Sequence, residues 1–289
     1  MANLKDIRKR ISSVRNTQQI TKAMKMVSAA KLRRAQDAAE SARPYAEKLG
    51  ELLSNVGSRV GSDAHPLLRE GSDGPAHVIV IASDRGLCGG YNTNVIKLAE
   101  SFLTSDEGKD ATVVCCGRRG HDHFKTRIAD RITAEHVNRP GGFDLALARE
   151  VTADATARFL DGSAGAVYLV YARFKSAMLQ VPTVERLLPV AANEEETTDT
   201  ETNADYLYEP DAASLLGSLL SRYVETKVFQ AMLEATASEH GARMAAMDSA
   251  TRNASEMIDR LTLQMNRARQ AAITTELMEI ISGAEALNG

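Results

Sequence analysis

The strongest constraint on this chain is what its last stretch lacks. After Pro210 there is no further proline up to Gly289, and the only internal glycines are Gly217, Gly241 and Gly283. Proline removes a backbone donor and clashes with the preceding turn, and glycine weakens a helix interior. A segment nearly free of both predicts one helix almost end to end, opening near Pro210 at a favoured first-turn position. A second long helical stretch runs from Asn3, an N-cap residue, to about Val60, with Asp6 placed to favour the first turn. At about 1.5 Å rise per residue these helices span about 115 Å and about 80 Å. Ordinary globular helices run about 11 or 12 residues. Two such helices, one at each end, predict a chain that folds back on itself and pairs its ends as a rod.

Apolar spacing describes how they would pair. Leu4, Ile7, Ile11 and Val14 step by 3, 4 and 3, which is coiled-coil spacing. The apolar phase stops at Asn16-Thr17-Gln18-Gln19 and resumes at Ile20, Ala23, Val27 and Ala30, so a change of buried face is expected there. Pro44 predicts a kink or a local break. Near the other terminus Ala254, Ile258, Leu261, Met265, Ala268 and Ala272 form a heptad seam. One residue later a second seam starts: Ile273, Leu277, Ile280, Ala284 and Leu287. A one-residue slip between two regular seams predicts a local change of winding.

The middle of the chain reads differently. Residues 54–76 are polar and contain glycine, and read as a connector. His77 to Ile81 is a continuous apolar run that predicts a buried parallel strand. Strands are also predicted at Ala111–Cys115, Ile132–Val137 and Ala166–Tyr171, with helices at Asn94–Leu103, Arg118–Arg127 and Asp144–Leu160. Val181 to Val190 reads as extended, with Pro182 marking an edge. Alternating strands and helices predict a Rossmann-like α/β domain with a mostly parallel sheet. The expected fold class is therefore α/β: this domain plus a long antiparallel coiled coil of the N- and C-terminal helices. The expected boundaries are 1–60 for the first helix, 61–208 for the domain and 209–289 for the last helix.

The net charge of −3 conceals two opposed patches. Residues 1–36 hold ten Lys/Arg against the single Asp6, whereas residues 194–205 hold six acidic residues and no basic one. The basic run Lys22, Lys25, Lys31, Arg33 and Arg34 has no interleaved aromatics for base stacking, so nucleic acid is not the expected partner. It reads as a solvated face or as a collar opposed to acidic loops of a protein partner. No apolar run approaches the ~20 residues of a membrane span. The basic amphipathic start looks like a transit peptide, but its apolar spacing continues past Met26 without a cleavage-like break, so it is expected to be part of the working protein. Three cysteines, Cys88, Cys115 and Cys116, show no framework spacing and suit a reducing compartment.

Candidate chemistry is sparse. The loop Ser83 to Gly90 follows a strand and precedes a helix, as a phosphate loop does, but it satisfies neither G-x-G-x-x-G nor a Walker motif. It reads as a tight turn. Cys115, Cys116, His121 and His123 match no zinc spacing, and adjacent strand residues point to opposite faces. No nucleophile turn is present. No cofactor, metal or catalytic residue is expected.

Three stretches go beyond periodicity: IRKRISSVRNTQQITKAMKMVSAAKLRRAQ at 7–36, SDRGLCGGYN at 83–92, and SEHGARMAAMDSATRNASEMIDRLTLQMNRARQAAITTELMEIISGA at 238–284. Together they closely resemble the gamma subunit of the F-type ATP synthase, bacterial type. The resemblance implies a non-catalytic central rotor shaft of a proton-translocating enzyme. Such a shaft couples rotation of the membrane rotor ring to ATP synthesis or hydrolysis at the beta-subunit sites. The implied partners are the alpha and beta subunits of the head, the epsilon subunit and the rotor ring, with no direct membrane insertion. The implied place is the cytoplasmic face of the bacterial membrane, as a peripheral subunit. Carried over by position, Met24, Lys25, Arg33, Arg34, Arg269 and Gln270 are implied contacts to the ring of beta subunits. Leu277, Ile280 and Leu287 are implied to form the shaft tip. The loop residues Asp84, Arg85, Gly86, Gly89 and Gly90 are implied to belong to the foot. The competing readings are a nucleotide-binding α/β enzyme with a helical dimerisation arm, and a passive coiled-coil scaffold.

Overall fold

A computed structural model describes residues 4–60, 65–69, 71–140, 142–190 and 212–288. The acidic stretch 193–205, the cap at Asn3 and the predicted helix start at Pro210 lie outside the described residues. The chain divides into two compact units: residues 1–28 with 244–289, and residues 29–243.

The first unit consists of the outer parts of two helices, α1 (Leu4–Val60) and α5 (Ala212–Asn288). Both are continuous. α1 passes through Pro44 without a break in its assignment, and it carries on to Val60 through residues read from sequence as a connector. Neither expectation, of a break at Pro44 or of a connector from residue 54, holds there.

The second unit is a three-layer α/β/α arrangement around a five-stranded sheet in the order β3-β2-β1-β4-β5. The strands are β1 (Ala76–Ile81), β2 (Thr112–Cys116), β3 (Ile132–His136), β4 (Ala166–Phe174) and β5 (Gln180–Leu188). The first four are parallel; β5 is antiparallel to β4 and forms an edge, where Pro182 costs no ladder bond to a further strand. The run His77–Ile81 is buried on both faces, as a central parallel strand demands. One face carries Ile79, Ile81, Leu169 and Tyr171 against α4 (Leu145–Leu160) and the first half of α5. The other carries Val78, Val80, Val170 and Ala172 against α2 (Tyr91–Leu103), with Phe124 of α3 (Arg118–Lys125). α4 starts at Asp144, whose carboxylate accepts the Leu147 N–H at 2.8 Å. Cys115 and Cys116 face opposite layers, as strand alternation requires.

Glycine is required at Gly117, between β2 and α3. Its φ is +103°, and a Cβ there would sit 2.1 Å from the Ala82 carbonyl oxygen.

Candidate functional site

The outer helix pair is antiparallel and held by polar groups at its seam. Gln18 Nε2 donates to Ser255 Oγ at 2.8 Å. The Thr21 and Thr251 hydroxyls are 2.8 Å apart. Lys25 Nζ donates to Asp248 Oδ1 at 2.5 Å. That hydrogen bond, with the charges of Lys25 and Arg252, holds the Asp248 carboxyl below its ordinary range. In every pair the residue numbers add to 272 or 273, the signature of one antiparallel register.

This geometry corrects the sequence expectation of a phase change at 16–19. One line of covered positions on α1 runs Leu4, Ile7, Ile11, Val14, Gln18, Thr21, Lys25, Ser28, Leu32 and Ala35, an unbroken alternation of three and four. On α5 the matching line is Met247, Thr251, Ala254, Ile258, Leu261, Met265, Ala268 and Ala272. The seam never shifts; it turns polar, and Ser28 is only 3% exposed. Ile20 and Val27, taken from sequence as the resumed seam, are instead 60% and 56% exposed. The apolar residues and the covered residues separate here because two stripes share one helix.

The slip at 272–273 has a similar cause. Extending the register sets Leu4, the first described residue of α1, opposite Ala268 and Arg269. Ile273, Leu277 and Ile280 beyond it are exposed, Ile280 at 68%. Among the described residues, the second seam through Ile280 is therefore left uncovered.

The implied contact residues fall in three groups. Arg33, Arg34, Arg269 and Gln270 are exposed on their helices. Met24 is partly covered, and the Lys25 ammonium is already matched by Asp248. Leu277 is exposed; Leu287 lies in α5, with its side chain outside the described residues.

The loop 83–90 lies in the other unit, at the C-terminal end of β1. Asp84 Oδ1 accepts the backbone N–H of Arg118 at 2.9 Å and of Asn138 at 3.0 Å, tying together the ends of β1, β2 and β3. Asn92 accepts from the Ser83 N–H at 3.0 Å and donates to the Arg85 carbonyl at 3.3 Å. Asp84 Oδ1 and the Asn92 amide are thus engaged in holding backbone groups. Leu87 and Gly89 adopt left-handed conformations, with φ of +62° and +58°, and the Leu87 side chain is 65% exposed. Arg85, Gly89 and Gly90 are exposed and Gly86 is partly covered.

In an open α/β sheet the ligand crevice lies beyond the strand C-termini where strand order reverses, here between β1 and β4. This chain fills that place with its own helix. Ser238 Oγ donates to the Ala172 carbonyl at 2.9 Å, and Tyr91 Oη donates to the Ala235 carbonyl at 3.2 Å. Arg243 donates to the Gly86 carbonyl at 3.2 Å and pairs with Glu239 at 2.6 Å. A Cβ on Gly241 would lie 3.2 Å from Ala177 Cα, so the glycine lets α5 approach the β4–β5 turn closely. Burial pushes the Glu239 carboxyl up against the opposing pull of Arg243. Burial, with the nearby Arg243 and Lys31, pushes the His240 imidazole down to about 4. The Cys115 thiol is pushed up to about 12 and the Cys116 thiol higher still, both chiefly by burial. Thiols held protonated in this way are poor nucleophiles.

Sequence reasoning missed Gln18, Thr21, Thr251 and Ser255 as seam residues, and Arg243 as the link from α5 to the loop. The first four were recoverable. Counting by three and four from Ile11 and Val14 lands on 18, 21, 25 and 28 and then on Leu32 and Ala35, which are apolar again. Arg243 gave no local signal, since its partners are backbone carbonyls far away in sequence.

A sequence profile of the family described as ATP synthase matches residues 3–287. The ATP synthase gamma chain of Geotalea uraniireducens is 50% identical over 291 residues, covering all of both chains. Among solved structures, a chain of the Tetrahymena thermophila mitochondrial ATP synthase central stalk and c-ring is 25% identical with a TM-score of 0.59, covering 80% of this chain and 99% of that one. A chain of the Euglena gracilis mitochondrial ATP synthase rotor has the same fold, with a TM-score of 0.66 at 19% identity, over 93% of this chain and 98% of that one.

Proposed function

We infer the role of this chain from the family to which it belongs, for it is a member of the ATP synthase gamma-chain family. It is the central rotor shaft of a rotary ATP synthase and a non-catalytic subunit of it. Its partners are the alpha and beta subunits of the catalytic head, the epsilon subunit and the membrane rotor ring. It is a peripheral subunit, and no described helix is long and apolar enough to cross a membrane. The observation that carries the reading is the full-length identity of one half, which includes both end helices as well as the α/β unit.

The finer assignments are our proposal. The subunit works at the cytoplasmic face of the bacterial membrane with protons as the coupling ion. Its working division is 1–60, 61–208 and 209–289. Arg33, Arg34, Arg269 and Gln270 contact the ring of beta subunits; Met24 and Lys25 adjoin that collar, with the Lys25 charge already matched in-chain. Leu277, Ile280 and Leu287 form a tip that turns in an apolar sleeve. Apolar contact suits that task because it is non-directional and fixes no hydrogen-bond registry. The loop Asp84, Arg85, Gly86, Gly89 and Gly90 belongs to the foot, where Asp84 holds three strand ends together.

Co-expression with alpha and beta subunits tests the reading. A stable complex with ATPase activity is expected, and removing residues 1–36 is expected to abolish ion-coupled synthesis. No complex, or coupled synthesis that survives the truncation, overturns it.

A further inference from the structure

Gln18–Ser255, Thr21–Thr251 and Lys25–Asp248 occupy consecutive levels of one seam, spaced three and four residues apart on α1. Before them α1 covers Leu4, Ile7, Ile11 and Val14; after them, and after Ser28, it covers Leu32 and Ala35. An apolar seam tolerates sliding, because burying apolar area has no preferred direction. A polar level does not, since hydrogen-bond energy falls off steeply with misalignment. A single polar seam residue is enough to specify register in a coiled coil, at some cost in stability. Here three levels are polar in succession, and all three are satisfied across the pair. Thr251 Oγ1 lies 2.7 Å from the Met247 carbonyl and Thr21 Oγ1 lies 3.0 Å from the Gln18 carbonyl, so one hydroxyl can donate along its own helix while the other donates across.

The charged level discriminates slipped states. Asp248 Oδ2 also forms an ion pair with Arg252 Nη2 at 3.3 Å. Sliding α5 by four residues in one direction sets Lys25 opposite Arg252, a like charge. Sliding it four the other way sets Lys25 opposite Met244. Neither state provides a carboxylate. One-turn slips of about 5.4 Å are a recognised way for packed helices to yield, and a shaft under torque is loaded to make them.

We propose that Gln18–Ser255, Thr21–Thr251 and Lys25–Asp248 form a register lock that stops the two shaft helices sliding past each other under load, and that Lys25 acts inside the shaft and not on an acidic loop of a partner. The proposal rests on the rotor reading. These are positioning residues: they touch no reacting group and act by keeping the shaft from yielding.

The test uses the complete membrane complex in vesicles, read as ATP-driven ion pumping per ATP hydrolysed. Lys25→Asp and Asp248→Lys are each expected to lower that ratio several-fold, and the double swap to restore it to within about twofold of wild type. A swap as poor as Lys25→Asp alone places the work of Lys25 outside the pair and overturns the lock. Thr21→Val with Thr251→Val keeps shape and removes the hydroxyls. It is expected to assemble normally, with an unchanged or raised thermal midpoint, and still to pump less per ATP. Full pumping in that variant also overturns the lock, even if the charge variants fail to assemble. A wild-type complex that pumps while the swap fails to rescue sinks the lock alone; a wild-type chain that gives no pumping complex sinks the rotor reading and the lock with it.

Discussion

Along the central strands of the α/β unit, apolar runs and buried runs coincide; in the outer helix pair they separate. His77 to Ile81 reads as a buried strand and is buried throughout. Along α1, by contrast, Ile20 and Val27 are open while Thr21 and Ser28 are covered. The central strands are covered on both faces by helices of the same chain, so pattern and burial coincide there. The helix pair carries two stripes, one for its own partner helix and one left over. The leftover stripe is the more apolar of the two between residues 18 and 28. Exposed apolar surface that is contiguous along a helix marks a binding face, which is what a subunit turning inside a ring of others needs. The difference shows that apolar period and burial within a single chain need not coincide on a long helix.

The largest effect that separates the two regions is in the sheet. Leu169 is almost wholly covered, and Leu169→Ala is expected to destabilise the α/β unit by about 2–5 kcal/mol, read as a shift in the urea midpoint of the free subunit. A shift below 1 kcal/mol would mean that the core can collapse around the gap. Asp84→Ala comes next. It removes the shared acceptor of the solvent-accessible Arg118 and Asn138 N–H groups and is expected to cost about 1 kcal/mol, whereas a catalytic or ion-binding Asp84 would leave stability largely intact.

Acid should act on the α/β unit through its covered histidines. His77 is fully buried, with Nδ1 2.7 Å from Thr112 Oγ1, and burial pushes its imidazole down to about 4. The folded value lies below the ordinary 6.5, so the unfolded chain binds the proton first. The stabilisation is full above about pH 6.5 and is lost as pH falls toward 4, at up to about 1.4 kcal/mol per pH unit. His240 follows the same rule. Urea midpoints measured from pH 7 to 4.5 should fall, and His77→Gln should flatten that fall. An unchanged slope in the variant would remove His77 from the account.

The smallest effect on stability is expected at the open stripe. Ile20→Ser and Val27→Ser should change the free subunit by no more than about 0.5 kcal/mol, while weakening co-purification of the head subunits. A loss of stability with normal assembly would reverse the comparison between the two regions.

These contrasts also explain what the sequence revealed. Strand positions, their mainly parallel order and the edge at Pro182 followed from local pattern, because each strand is buried by its own chain. The continuity of α1 through Pro44 did not follow, since the neighbours of a helix decide whether it tolerates a proline. The polar levels at Gln18 and Thr21 interrupt the apolar pattern without interrupting the covered stripe, so hydrophobicity alone does not locate burial there. The use of the strand-end crevice by Ser238, Gly241 and Arg243 could not be read at all, for those contacts join residues more than sixty positions apart. The three long motifs carried the role itself, through resemblance and not through periodicity.

The central claim is that this chain is a turning shaft. The most direct measurement fixes the catalytic head to a surface, attaches a bead to the α/β unit at exposed Lys109, replaced by cysteine, and records its motion while ATP is hydrolysed. Sustained one-way rotation that stops when ATP is withdrawn is the predicted result. A complex that hydrolyses ATP at full rate while the bead only fluctuates about a fixed angle would contradict it.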